Sequence, residues 1–308
     1  MPSIISFSDA GSTAKGNYSQ SQGYSTHTDG EYSHAEGGYT EAKGEYSHAE
    51  GRGTKASGIR SHAEGSGSQA SGAYSHAEGG STTALGTYSH TEGCGTIANN
   101  DCAHAEGNNT QAYYRCSHAE GENTYAEGNC SHAEGFGTNA FGKYSHAEGY
   151  DTRAFVQCSH TEGYNTAALT NYTHAANLGT IADVSSMTAI GEYNVPSETG
   201  TYSYSDKTIN YTGESLQKKK NKLFVIGNGS DNDNRHDAFI ITRNGDAFVD
   251  NSLTIGKYPI INDNDTNIFV IGNGTSESAN NALYVDANGN VHITGKLYVN
   301  TIESETTK

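Results

Sequence analysis

Small and larger polar residues alternate along the first two thirds of this chain in blocks of seven. Each block has the form Ser/Thr-x-Ala-x-Gly-x-x. The first is Ser12-Thr13-Ala14-Lys15-Gly16, a late one is Thr180-Ile181-Ala182-Asp183-Val184, and the last recognisable one holds Ala189-Ile190-Gly191. Alternation with period two is the strand pattern, so each heptad predicts a strand of about five residues with a tight turn at its glycine. Ser/Thr and Ala then point to one side and the two x positions to the other. The small side must line a very thin interior, which admits only Ala, Ser, Thr and an occasional Met187.

Two heptads make a 14-residue unit. Its marker is Ser33-His34-Ala35-Glu36-Gly37, which returns as Ser47-His48-Ala49-Glu50-Gly51 and onward without insertion. A strict, short period is the signature of a solenoid, in which each repeat is one rung that cannot fold alone. The predicted fold is therefore all-β: a parallel β-roll of 14-residue rungs with two short strands each. From residue 12 to 191 it has about 13 rungs, and at roughly 4.8 Å per rung it is about 60 Å long.

The two outer faces differ. One heptad of each unit carries a fixed pair: His34/Glu36, His48/Glu50, His62/Glu64, His76/Glu78, His90/Glu92, His104/Glu106, His118/Glu120, His132/Glu134, His146/Glu148 and His160/Glu162, with His174 closing the histidine column. The other heptad carries almost anything, as in Glu41/Lys43, Lys55/Ser57, Tyr125/Glu127 and Arg153/Phe155. A face that never changes sees a constant environment. The His/Glu columns are expected to form a self-interface, most simply around the axis of a homotrimer.

The pattern breaks at 192–222, where Pro196, a Tyr/Ser/Thr-rich run and Lys218-Lys219-Lys220 read as a neck. Residues 223–300 hold a second repeat. Leu223-Phe224-Val225-Ile226-Gly227-Asn228-Gly229 recurs as Ile268-Phe269-Val270-Ile271-Gly272-Asn273-Gly274, and Ala238–Asp246 recurs as Ala282–Asn290. Apolar strands bounded by Asn-Gly predict β-hairpins in a small β-rich C-terminal domain. Residues 1–11 read as a lead-in and 301–308 as a polar tail.

Composition narrows the function. The net charge of −17 argues against nucleic-acid binding. No secretory signal is expected from Met1–Ser8, and no apolar run is long enough to enter a membrane as a helix. Of the five cysteines, Cys102, Cys116, Cys130 and Cys158 replace a tyrosine in one column of the repeat. They read as packing residues: in-register rungs hold equivalent positions about 4.8 Å apart, slightly too far for an unstrained disulfide. The tyrosines of that column (32, 46, 74, 88, 144 and 172) read as packing at turn edges, and His27, with Asp29 two residues on, reads as an imperfect first rung.

The heptad and the neck after it resemble the head repeats of YadA-like trimeric adhesins. The resemblance covers about residues 12–191 and implies a left-handed parallel β-roll that trimerises. That family usually has Val and Ile in the slots filled here by His and Glu, and its membrane-anchor barrel has no counterpart in this sequence. The Ser-His-Ala-Glu-Gly repeats, followed by Phe269–Gly274 and Asn288-Gly289-Asn290-Val291, are more similar to tail-fibre and tail-appendage proteins of phages of Gram-positive bacteria. This resemblance implies a structural and adhesive virion component with a host cell-surface receptor or glycan as partner. A bacterial surface adhesin is the alternative, and a glycan-cleaving tail spike is a third reading.

Histidine and glutamate side by side invite chemistry. Eleven copies of one histidine are a building pattern, whereas a catalytic site is one special constellation, so no catalytic residue is assigned and no enzyme is expected. Zinc ligation is conceivable, but full occupancy of sites one rung apart is implausible, and neither a metal nor another cofactor is assigned. The columns are read as a polar zipper. Carboxylate pairing is then expected to raise the histidine pKa values, giving stability that is lost as pH rises through them.

Overall fold

We describe a computed structural model covering residues 5–8, 11–197, 200–204, 207–211, 221–250, 253–257, 269–273, 281–286 and 290–294. Lys218–Lys220 and the 301–308 tail lie outside the described residues. The chain divides into two compact units, Met1–Asp246 and Ala247–Lys308.

The first unit is a parallel β-solenoid, and no helix occurs among the described residues. Two sheets run along it. The histidine sheet contains His34–Gly38, His48–Arg52 and their successors to Thr188–Glu192, each in register with the strand 14 residues on. The variable sheet has 13 two-residue strands, from Thr13–Ala14 to Ile181–Ala182. Between the sheets lie the small residues: Ser33, Ala35, Thr40 and Ala42 are at most 1% exposed, and the same columns stay buried along the roll. The interior is the thin layer that the alternation predicts.

The strands are shorter than the expected five residues on the variable side. The reason is a corner directly after the alanine. The backbone N–H groups of Lys43 and Gly44 both donate to Ala56 O of the next rung, so the ladder closes there. Ser47 Oγ then donates to Gly44 O at 2.6 Å, and Ser33, Ser61 and Ser75 repeat this clamp. The serine of the Ser-His-Ala-Glu-Gly motif is thus a turn clasp.

The glycines serve two ends. Gly37 has φ +107°, and Gly44 lacks a positive φ but would place a Cβ 1.8 Å from Gly58 O of the next rung. The left-handed corner positions fall elsewhere. One is the tyrosine and cysteine column, with Tyr32, Arg60 and Cys102 at φ 54–55°, and the other includes Tyr39 and Asn109. Each non-glycine residue there costs about 1 kcal/mol.

Both ends of the roll extend past the heptad pattern. Ile5–Ser8, expected to be a lead-in, pairs in parallel with Gln20–Gly23 as a further strand of the histidine sheet. Lys222–Asn228 pairs in parallel with Thr188–Glu192, so the strand expected to open a separate C-terminal domain is instead the last rung on that sheet. It then pairs antiparallel with Asp237–Thr242. The intervening segment contains the antiparallel pair Gly200–Tyr204 and Lys207–Tyr211. The end of the variable sheet is closed by a side chain. Asn194, fully buried, accepts from Ile181 N–H at 2.8 Å through Oδ1 and donates Nδ2–H to Ile181 O at 3.0 Å. Its carboxamide thereby replaces the next strand. Buried Lys222 donates to Val195 O and Asp237 Oδ2 at 2.7 and 2.8 Å.

The second unit repeats this exit. Leu253–Lys257 is parallel to Phe269–Asn273, which is antiparallel to Asn281–Val285, and Val291–Ile293 follows. The register shift at Ile271/Gly272 matches that at Ile226/Gly227. The duplication seen in sequence therefore includes the preceding parallel strand.

Candidate functional site

The histidine sheet holds its two x positions outward in straight columns because every rung is in register. The imidazoles from His34 to His174 form one continuous stack, with ring centroids 4.7–5.0 Å apart and planes within 14°. Beside it runs the glutamate column. Within a rung, Nε2 lies 3.6 Å from the carboxylate in His104/Glu106, His118/Glu120 and His132/Glu134. Across rungs, His76 Nε2 lies 3.7 Å from Glu64 and His174 Nε2 lies 3.5 Å from Glu162. These separations exceed hydrogen-bond length. Nε2 of ten histidines, from His48 to His174, is buried without a hydrogen-bond partner, although each ring as a whole is about one third exposed.

The structure thus brings together all the residues predicted for the interface ladder. Their electrostatics differ from the expectation. The pKa values of His34, His62, His76, His104, His132 and His160 are lowered, first by burial and then by the neighbouring imidazole. The carboxylates oppose this but sit too far away to reverse it, so the expected upward shift is corrected. Glu50, Glu64 and Glu78 are linked along their column. Glu64 is pushed up to about 7 by hydrogen bonds to Glu78 and Glu50, whose own values are lowered by the same contacts.

The columns change character at both ends. In the histidine and glutamate slots stand Ile5 and Phe7, then Gln20 and Gln22, at one end. Thr188 and Ile190, then Phe224 and Ile226, occupy them at the other. Apolar residues of the kind that the adhesin-head resemblance leads one to expect throughout enter these slots only beyond Gln20/Gln22 at one end and from Ile190 onward at the other.

The variable face is heterogeneous. Early rungs carry ion pairs, Lys15–Asp29 at 3.3 Å and Glu41–Lys43 at 2.5 Å. Late rungs carry a cluster of Phe155, Leu169 and Ile181, with Phe141 and Val156 packed against it. His27 belongs to this sheet, paired with Thr13 and Glu41, and is not part of the histidine column. The tyrosine column stacks on itself: Tyr18, Tyr32 and Tyr46 at 4.9–5.0 Å, then Arg60 between the rings of Tyr46 and Tyr74. Ring faces spent on one another leave only edges outward, which suits packing better than a sugar-stacking stripe.

Sequence reasoning missed the closing residues Asn194, Lys222 and Asp237. Asn194 gave a faint signal as the polar residue two positions before Pro196, where the heptads stop. No protein-family model matches this chain, and no curated protein matches it.

Proposed function

We propose that this chain is a structural and adhesive fibre component that works as a homotrimer, with the His/Glu face turned to its own copies and the variable face turned outward. Its best-fitting role is a phage tail fibre or tail appendage displaying a host-binding surface. The observation that carries this reading is the contrast between the two sheets. On identical rungs, one column pair stays His/Glu for ten repeats while the facing sheet drifts from ion pairs to aromatics. The buried, unpartnered Nε2 atoms, and the Phe224 and Ile226 that take over the same slots past the end of the stripe, support a surface that meets another surface.

Two measurements test this. Native mass spectrometry should give three chain masses, and a folded monomer would overturn the assignment of the constant face. Fluorescently labelled protein should decorate Gram-positive cells in a saturable way. Failure on a broad strain panel would remove the adhesive part of the reading and leave the structural one.

A further inference from the structure

We propose that the His/Glu stripe is a ladder of binding sites for a divalent transition-metal ion of the zinc class, filled at about every second rung. The inference concerns one chain's own geometry and does not rest on the trimer.

Imidazole and carboxylate are competent ligands for such ions. From His104 to His174, five successive groups of two histidines and the glutamate between them have ligand atoms within 4.8 Å of one another, including His104/Glu106/His118 and His132/Glu134/His146. The Nε2–carboxylate separations of 3.5–4.0 Å are too long for a hydrogen bond. They suit two ligands of one ion: metal–ligand bonds of about 2.0–2.1 Å at tetrahedral angles put ligand atoms about 3.4 Å apart. Nε2 is also the atom that lacks a partner while buried. A buried imidazole nitrogen with nothing to bond costs free energy that an ion would recover.

The same geometry limits occupancy. Neighbouring groups share a histidine: His132 belongs both to the group with Glu120 and to the group with Glu134. Drawing two rings together around one ion moves them away from the next. Two dications one rung apart would also repel, with a single carboxylate charge each to offset them. Alternate groups such as His104/Glu106/His118, His132/Glu134/His146 and His160/Glu162/His174 share no residue. Water or a neighbouring chain completes each coordination sphere.

The test uses the whole chain, stripped with chelator and free of any polyhistidine tag. It is titrated with Zn²⁺ by calorimetry and with Co²⁺ by visible absorption. Binding should saturate at about half as many ions as there are groups, and the Co²⁺ complex should show the intense bands of four-coordinate nitrogen and oxygen ligation. The urea-unfolded chain, with the same histidines, sets the background. The triple variant Glu120→Gln, Glu134→Gln and Glu148→Gln should lose one to two ions per chain. Its metal-free far-ultraviolet spectrum should be unchanged, and His118→Gln supplies a second route should the triple variant misfold. Binding no tighter than that of the unfolded chain, or an unchanged stoichiometry in every folded variant, would overturn the proposal.

Discussion

At the scale of the residue, the histidine column trades solvation for stacking, and this sets the pH response. Imidazoles whose folded pKa lies below the unfolded 6.5 bind fewer protons when folded. Their contribution is fully present above pH 6.5 and is lost as pH falls through the lower folded value. Glu64 has the opposite sign: raised from 4.5 to about 7, it favours the folded state below 4.5 and loses that contribution as pH rises to about 7. Glu92 and Glu148 are raised as well, by burial first. With six lowered histidines against these three carboxyls, the melting temperature in chelator should fall as pH drops from about 7 to 5. Glu64→Gln should melt about 1–3 °C higher than the parent at pH 8, the scale of a screened, partly exposed interaction, and should show no gain near pH 5. A parent melting curve that instead rises toward acid would restore the raised-histidine picture. Glycine makes a second contrast at this scale. Gly44→Ala forces a Cβ against the backbone of the next rung and should cost more than about 3 kcal/mol, whereas Gly53, at φ +68° with open space around it, should cost about 1 kcal/mol as Ala. Urea unfolding of the two variants separates close packing from backbone conformation.

At the scale of the element, the roll was legible because its determinants are local and periodic. Ser, Ala and Gly columns dictate a thin two-sheet rung, and alternation tells inside from outside. What escaped the reading was whatever departs from the period. Ile5–Ser8 reaches its partner through a 15-residue offset, and Lys222–Asn228 reaches Thr188–Glu192 through a 36-residue offset in place of 14, so neither registers as a repeat. The corner chemistry escaped too, since a left-handed tyrosine looks like any tyrosine in sequence. The site was half legible: the columns were predicted, but the sign of the histidine shifts depended on carboxylates standing 3.5–4.0 Å away and not at hydrogen-bond distance. The cap is the element most open to test. Asn194→Leu leaves the N–H and C=O of Ile181 buried and unpaired, which should cost about 2–5 kcal/mol. Hydrogen exchange should then show loss of protection concentrated in the last rungs, near Ile181–Ala182, with early rungs unaffected. Uniform loss along the whole roll would mean that the cap is not a local closure.

At the scale of the whole molecule, the question is which face meets another chain. Each rung contributes one strand to either sheet, so a matched pair of substitutions at the same rungs isolates the faces. His104→Asp with His118→Asp adds charge to the constant column, where the neighbouring carboxylates Glu106 and Glu120 already stand 3.6 Å from the replaced rings. Gln111→Asp with Tyr125→Asp adds the same charge on the variable sheet at the same rungs. If copies meet on the His/Glu face, the first pair concentrates like charge where solvent is excluded, and such charge is costly without compensation. Sedimentation velocity should show the first variant dissociating or losing its concentration-dependent melting, while the second stays trimeric. Both variants keep the buried Ser, Thr and Ala layer, so far-ultraviolet spectra should remain those of the parent. Dissociation by the variable-face pair alone would place the interface on the other sheet and turn the His/Glu columns outward. Their constancy would then call for a constant external ligand, and the metal ladder would become the reason for the repeat itself.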